Sequence, residues 1–140
     1  MTTAPMVVVD ASVWLARLLP QDVFHRAVSA WMAARREENV ILVSPSLLLP
    51  EVAGAISRRT GKPELAEQAL TGLQDLPGLR LIEMDQTLVA SAARLAGLLG
   101  LRGADAIYVA AAEYLSLPLC TLHEDQAHRA AYRVAVQHVS

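Results

Sequence analysis

Several things that would have pointed the chemistry elsewhere are scarce or missing. Cysteine occurs once, as Cys120, which excludes an intramolecular disulfide and suits a reducing compartment. Lysine also occurs once, as Lys62, between two middle helical segments. A phosphate-accepting receiver domain needs a lysine near its last strands, so that class is disfavoured. A phosphatase-type hydrolase wants a second aspartate two residues after the first, and Ser12 stands there after Asp10. There is no basic field to advertise a nucleic-acid partner, the net charge being -2 and the pI about 6.0. The N-terminus carries no basic leader, and its apolar run stops at Asp10. Neither a signal peptide nor a membrane span is expected, and a cytoplasmic location follows. Internal repeats and low-complexity tracts are absent as well.

What is present is hydrocarbon. Of the 140 residues 54% are hydrophobic, and the mean hydropathy is +0.33. That is rich for one domain spanning residues 1–140, and it implies that some apolar surface goes to a partner. Met6–Val9 is a mostly β-branched run without alternation, the signature of a strand covered on both faces. Val40–Val43 and Leu119–Leu122 read the same way. Leu79–Met84 alternates in part and suits a less covered strand, and Val134–Val136 is a last short strand. Between them lie helical segments: one after Ser12, read as an N-cap; one opening at Gln21-Asp22 with a stripe of Val23, Ala27, Ala30 and Trp31; and one over 46–59, with Ser44 as cap and Pro45 in its first turn. Further helices run over 64–76, from Asp85 as cap to Leu99, over 104–113, and shortly before Tyr132. Pro50 is expected to tilt the third of these. Strands and helices alternating throughout predict a three-layer α/β/α domain with a mainly parallel sheet of four to five strands.

Three apolar settings each contain one acid. Asp10 ends the first strand, where open α/β sheets place ligands. Glu51 sits among Leu47, Leu48, Leu49, Val52, Ala53 and Ile56, and should not face a dry core unpaired. Asp105 is the lone charge between Ala104 and Ala112. Each also has an ordinary role open to it: turn residue, solvent-stripe acid and helix-dipole acid, respectively. A fourth strand end supplies His123, Glu124 and Asp125. Carboxylates gathered at one crevice repel each other and hold protons at neutral pH, and a hard divalent cation removes the conflict. Metal-assisted phosphodiester hydrolysis is the reaction these residues suggest.

Four stretches in order now carry a resemblance: Val8-Val9-Asp10-Ala11-Ser12, Pro50-Glu51-Val52, Leu101-Arg102-Gly103-Ala104-Asp105-Ala106-Ile107, and Leu119-Cys120-Thr121-Leu122 ahead of an acidic cluster. The sequence resembles the PIN-domain ribonucleases, specifically the VapC-type toxins of toxin–antitoxin pairs. The resemblance implies Mg²⁺ or Mn²⁺ as cofactor, RNA as substrate, a homodimer and a VapB-type antitoxin as partner. It implies Asp10, Glu51 and Asp105 as catalytic metal ligands, with Ser12 and Thr121 lining the site; Arg102 is a candidate phosphate contact. It also exposes a departure. The family pattern has an aspartate where this chain has His123. Three outcomes are open: Asp125, two positions on, serves instead; His123 binds or orients a water and shifts the metal preference; or the second metal position is weak and the enzyme slow. Asp125 as compensating ligand, with His123 lining the site, is the expectation. A catalytically weakened scaffold that binds protein or RNA is the alternative, and His123 is what supports it.

Overall fold

Met6–Val9 forms β1, the middle strand of a five-stranded, wholly parallel sheet ordered β3-β2-β1-β4-β5 in a computed structural model that describes residues 4–140. The remaining elements follow as α1 (Ala11–Leu18), α2 (His25–Glu37), β2 (Ile41–Pro45), α3 (Leu48–Thr60), α4 (Pro63–Gln74), β3 (Leu79–Ile82), α5 (Gln86–Leu99), α6 (Gly103–Leu115), β4 (Leu119–Cys120), α7 (Glu124–Ala130) and β5 (Val136–Gln137). Parallel strands need crossovers, and the helices that supply them cover both faces of the sheet. The result is the expected three-layer α/β/α architecture.

Val7, Val8 and Val9 are at most 2% exposed, as a central strand without alternation requires. Val8 pairs with Val43 on one side and Leu119 on the other. β3 is the edge strand that its partial alternation suggested, with Arg80 exposed. The sheet order reverses between β1 and β4, since β2 and β3 lie to one side of β1 and β4 and β5 to the other. That switch point opens a crevice beyond the carboxyl ends of the two strands. α6 packs against β1, β2 and β4, with Ala106 through Ala112 all buried. Its run of alanines lets the helix axis approach the sheet closely.

Local chemistry corrects several readings. The N-cap of α1 is Asp10 rather than Ser12: the Asp10 carboxylate accepts from the Ser12 backbone N–H. Ser44 caps nothing, because it lies in β2 with Pro45 as the last strand residue. Its hydroxyl donates to the Val9 carbonyl over 2.5 Å and accepts from Trp14 Nε1 over 3.1 Å, pinning α1 to the sheet. Pro50 removes no hydrogen bond from α3. It is the third helical residue, where a backbone N–H has no partner inside the helix in any case. α2 begins four residues later than Gln21-Asp22, so Val23 falls ahead of it and is 88% exposed, while Val28 and Trp31 face inward. Asp22 serves the turn instead, accepting from the Phe24 N–H. On α4 the inward residues are Ala66 and Leu73, and Leu65 stays at the surface. Asp85 caps α5 as read, accepting from Leu88 N over 2.8 Å.

Candidate active site

The crevice at the switch point is furnished by the ends of β1 and β4 and by the first turns of α3 and α6. Asp10 is the residue after β1 and is 2% exposed. Its Oδ1 accepts from both the backbone N–H and the hydroxyl of Ser12, over 3.1 and 2.5 Å. Its Oδ2 accepts from Thr121 Oγ1 over 2.7 Å. The Ser12 hydroxyl in turn accepts from Leu122 N over 3.0 Å, so two hydroxyls tie the β1–α1 junction to the β4 end. Aspartate at this junction therefore does two jobs: it caps a helix and it fixes a carboxylate at the mouth of the crevice.

Glu51 lies in the first turn of α3, half-buried, and its Oε1 accepts from the Tyr108 hydroxyl over 2.6 Å. Asp105 lies in the first turn of α6, where the helix dipole favours its charge. All three carboxyls are pushed above the usual carboxylate range, with burial the largest cause in each. Burial at Asp10 is opposed by the Ser12 and Thr121 bonds and then by the His123 imidazole. At Glu51 the Tyr108 bond opposes burial, while the charges of Asp10 and Asp105 add to it. At Asp105 the counterweights are His123 and Arg102, and Asp125 adds repulsion. Glu51 thus feels both other acids, and His123 acts on all three.

The sequence matches the family profile described as PIN domain over residues 7–132. The chain belongs to the PIN domain family. Solved structures of similar fold include the Mycobacterium tuberculosis VapC20 sarcin–ricin loop cleaving toxin, at TM-score 0.73 and 19% identity, covering 94% of this chain and 98% of that one. The VapBC2 complex of Rickettsia felis bound to a promoter DNA fragment aligns at TM-score 0.73 and 12% identity over 95% and 98% of the two chains. A toxin–antitoxin complex from Klebsiella pneumoniae aligns at TM-score 0.59 and 18% identity over 84% and 86%. A sequence search of curated proteins gives no match.

Within this PIN domain the remaining candidates fall into two groups. Thr121, at the end of β4, is buried and joins the Asp10 network; Arg102, exposed, is the N-cap of α6 beside Asp105. His123 is the exposed N-cap of α7. Asp125 stands apart. Its carboxylate is 82% exposed and takes two bonds from Arg129 Nε, at 3.1 and 3.0 Å. Arg129 also donates to the Leu99 carbonyl, against Gly100, where an added Cβ would stand 2.7 Å from the guanidinium. His25 is half-buried with Nδ1 2.8 Å from the Ala16 carbonyl oxygen.

Two site residues escaped the sequence reading. Tyr108 is 1% exposed, and a buried phenol needs a partner. The signal was its spacing of three from Asp105, which puts both on one helix face. Gln126, 2% exposed, sets Oε1 3.0 Å from Thr121 Oγ1, whose single proton goes either to Asp10 Oδ2 at 2.7 Å or to this amide oxygen. Nothing in the polar run around it marked it as buried.

Carboxylate and hydroxyl oxygens without a thiolate make a hard donor set, suited to an oxygen-seeking divalent ion. Among the described residues, no group of three or more acidic, histidine or cysteine side chains is arranged to hold a metal ion. The fit to a cation lies in the donor chemistry and in the charges of Asp10 and Asp105, which raise the proton affinity of Glu51.

Proposed function

We propose that the chain is a divalent-metal-dependent endoribonuclease, the toxin of a toxin–antitoxin pair, which hydrolyses RNA phosphodiester bonds and thereby inhibits translation and growth. It acts as one PIN domain over residues 1–140. The observation that carries the reading is the gathering of Asp10, Glu51 and Asp105, all half- to fully buried, at the switch-point crevice, where the charges of Asp10 and Asp105 raise the proton affinity of Glu51. Three such acids, each held by burial above the usual carboxylate range, are a poor arrangement for stability alone, and they are the arrangement a divalent cation relieves.

Asp10, Glu51 and Asp105 would hold Mg²⁺, or Mn²⁺ in its place. Bound there, the ion would acidify a water and offset the charge that develops on the attacked phosphate. The chain's own residues do the rest. Ser12 and Thr121 keep the Asp10 carboxylate from rotating, and Tyr108 does the same for Glu51. Arg102, exposed at the start of α6, is a guanidinium fitted to a substrate phosphate. The His123 imidazole stands at the rim and lowers the proton affinity of Asp10 and Asp105. Asp125, paired with Arg129, adds negative potential beside Asp105 and is the weakest ligand candidate of the four acids.

Partners are supported by the company the fold keeps. The Rickettsia felis and Klebsiella pneumoniae structures are complexes with antitoxins, which favours a VapB-type partner here. The Mycobacterium tuberculosis toxin is a sarcin–ricin loop cleaving toxin, which favours an RNA substrate here. Val23, Leu98, Tyr114 and Tyr132 are 68–88% exposed, leaving apolar surface for a second copy or an antitoxin. Among the described residues no single helix is long and apolar enough to cross a membrane; a cytoplasmic site of action belongs to the same proposal.

The test is cleavage of total cellular RNA by purified protein with Mg²⁺, with Mn²⁺ and with EDTA. Discrete fragments are expected with either ion, and none with EDTA or with the Asp10→Asn and Asp105→Asn variants. Fragments that persist at equal rate in both variants would reject the nuclease reading. RNA retention without any cleavage would favour the weakened scaffold, to which His123 gives its support.

A further inference from the structure

Gln126 is a long polar side chain in the third position of α7, and it is 2% exposed. An amide buried that deeply has to satisfy both ends. Its Nε2 donates to the backbone carbonyl of Asp105 over 3.3 Å. A carbonyl oxygen can only accept, so this bond fixes which way the amide is turned. Oε1 then necessarily faces Thr121 Oγ1, 3.0 Å away. Thr121 Oγ1 lies 2.7 Å from Asp10 Oδ2 and accepts from the His123 backbone N–H over 3.1 Å. One side chain therefore spans the site. Its oxygen touches the hydroxyl that holds Asp10, and its nitrogen touches the helical turn that carries Asp105. No other hydrogen bond recorded among the described residues joins the β4 end to the first turn of α6.

We propose that Gln126 is a positioning residue that sets the separation and orientation of the Asp10 and Asp105 carboxylates, and so tunes the affinity of the crevice for a divalent cation. The inference rests on the metal-site reading above. Removing the amide lets the Thr121 hydroxyl turn and lets the first turn of α6 drift from β4. Both acids remain, but their oxygens are no longer held in register. Partners of this kind, one bond removed from a metal's ligands, commonly cost about 10- to 100-fold in affinity when lost.

The experiment is Mn²⁺ titration by calorimetry, without RNA, on four proteins: wild type, Gln126→Met, Gln126→Glu and Asp10→Asn. Methionine keeps the length and volume but makes neither bond. Glutamate keeps the acceptor toward Thr121 and loses the donor toward Asp105. Thermal unfolding in EDTA is recorded for each, so that a folding defect is seen separately. Wild type is expected to bind and Asp10→Asn is not. Gln126→Met should bind about tenfold or more weakly while its metal-free unfolding temperature stays within a few degrees of wild type. Gln126→Glu covers the case in which methionine does not fold, and should also weaken binding by about tenfold. If wild type binds, Asp10→Asn does not, and both foldable Gln126 variants bind as wild type does, Gln126 is only packing and the inference is overturned while the metal site stands. If wild type itself shows no saturable Mn²⁺ binding, or Asp10→Asn binds equally, the metal-site reading falls and takes this inference with it.

Discussion

The Tyr108 hydroxyl donates to Glu51 Oε1 over 2.6 Å, joining the buried α6 to the first turn of α3 across the crevice. The bond satisfies a phenol that has no water, and it holds a carboxylate that burial and two neighbouring acids would otherwise keep protonated. The same contact pushes the Tyr108 hydroxyl above its ordinary range, after burial as the larger cause, so it remains a donor. Tyr108→Phe removes the bond and keeps the ring. Hydrogen bonds to charged groups are worth about 1.5–3 kcal/mol. Cleavage at neutral pH should fall by about tenfold or more, and the acid limb of the pH–rate profile should move to higher pH as Glu51 holds its proton longer. The unfolding temperature should change little, because the buried hydroxyl leaves together with its bond. Unchanged rate and pH profile would show that Tyr108 serves packing alone.

Asp10→Asn should separate stability from activity. Asparagine caps a helix about as well as aspartate. Its amide can donate to Thr121 Oγ1, which is then free to donate to Gln126 Oε1. The variant therefore keeps the network and loses a buried charge that is 2% exposed. Each tenfold weakening of a buried acid corresponds to about 1.4 kcal/mol, so the metal-free variant should unfold at a higher temperature than wild type while cleavage is abolished. Denaturation in EDTA beside an RNA cleavage assay checks both halves; a less stable variant would mean that the carboxylate is satisfied without an ion.

The pH dependence of metal-free stability follows from the same three acids. Asp10, Glu51 and Asp105 all have folded values above the unfolded 3.8, 4.5 and 3.8. Between the unfolded and folded values the native state binds more protons than the unfolded chain, so unfolding free energy falls as pH rises through that window and levels off above it. As pH rises above about 4 in EDTA, the contribution of these groups should lower the unfolding temperature until all three are ionised in the native state. Saturating Mg²⁺ should reverse the slope, since the ion binds the deprotonated native site. Asp10→Asn should flatten the EDTA profile relative to wild type. The absence of any difference between the two profiles would remove Asp10 from the account.

Ser44 holds the floor of the site in place. Its hydroxyl donates to the carbonyl of Val9, the residue before Asp10, and accepts from the indole of Trp14, which is 1% exposed. Ser44→Ala leaves two buried partners unsatisfied, each at a cost of about 1–3 kcal/mol. Urea denaturation should show a loss on the order of 2–4 kcal/mol, summing two such groups with some relaxation. A loss below about 0.5 kcal/mol would mean that water reaches one of the two orphaned groups.

Much of this was legible in the chain. The covered strand at Met6–Val9, the edge character of Leu79–Ile82 and the buried α6 follow from hydrophobic pattern, because burial on one face or two leaves its period in the sequence. Asp10, Glu51 and Asp105 stood out because a charge in hydrocarbon demands a reason. What could not be read were partnerships made across the fold. Ser44 has the composition of a helix cap and works as a strand brace, since the Trp14 indole it meets lies 30 positions away. Gln126 and Tyr108 carry no charge to mark them, and their roles exist only once β4, α3 and α6 are side by side. Asp22 and Val23 were misjudged because the chain after Pro20 turns before it coils.

His123 is where this chain departs from the pattern it otherwise keeps, and its effect on the acids is visible. Its imidazole acts to lower the proton affinity of Asp10, Glu51 and Asp105 alike, the direction in which a cation would act. His123→Asp replaces the imidazole with a fourth carboxylate at the exposed start of α7, where the helix dipole accepts an anion and aspartate is a good N-cap. The crevice then has more need of a divalent ion and one more hard oxygen with which to hold it. The variant should be less stable than wild type in EDTA and should reach half-maximal cleavage at about tenfold lower Mg²⁺, a shift of about 1.4 kcal/mol in binding. Titrating Mg²⁺ against cleavage rate, beside unfolding in EDTA, reads both effects. If the Mg²⁺ midpoint and the rate are both unchanged, the imidazole imposes no functional cost at this position.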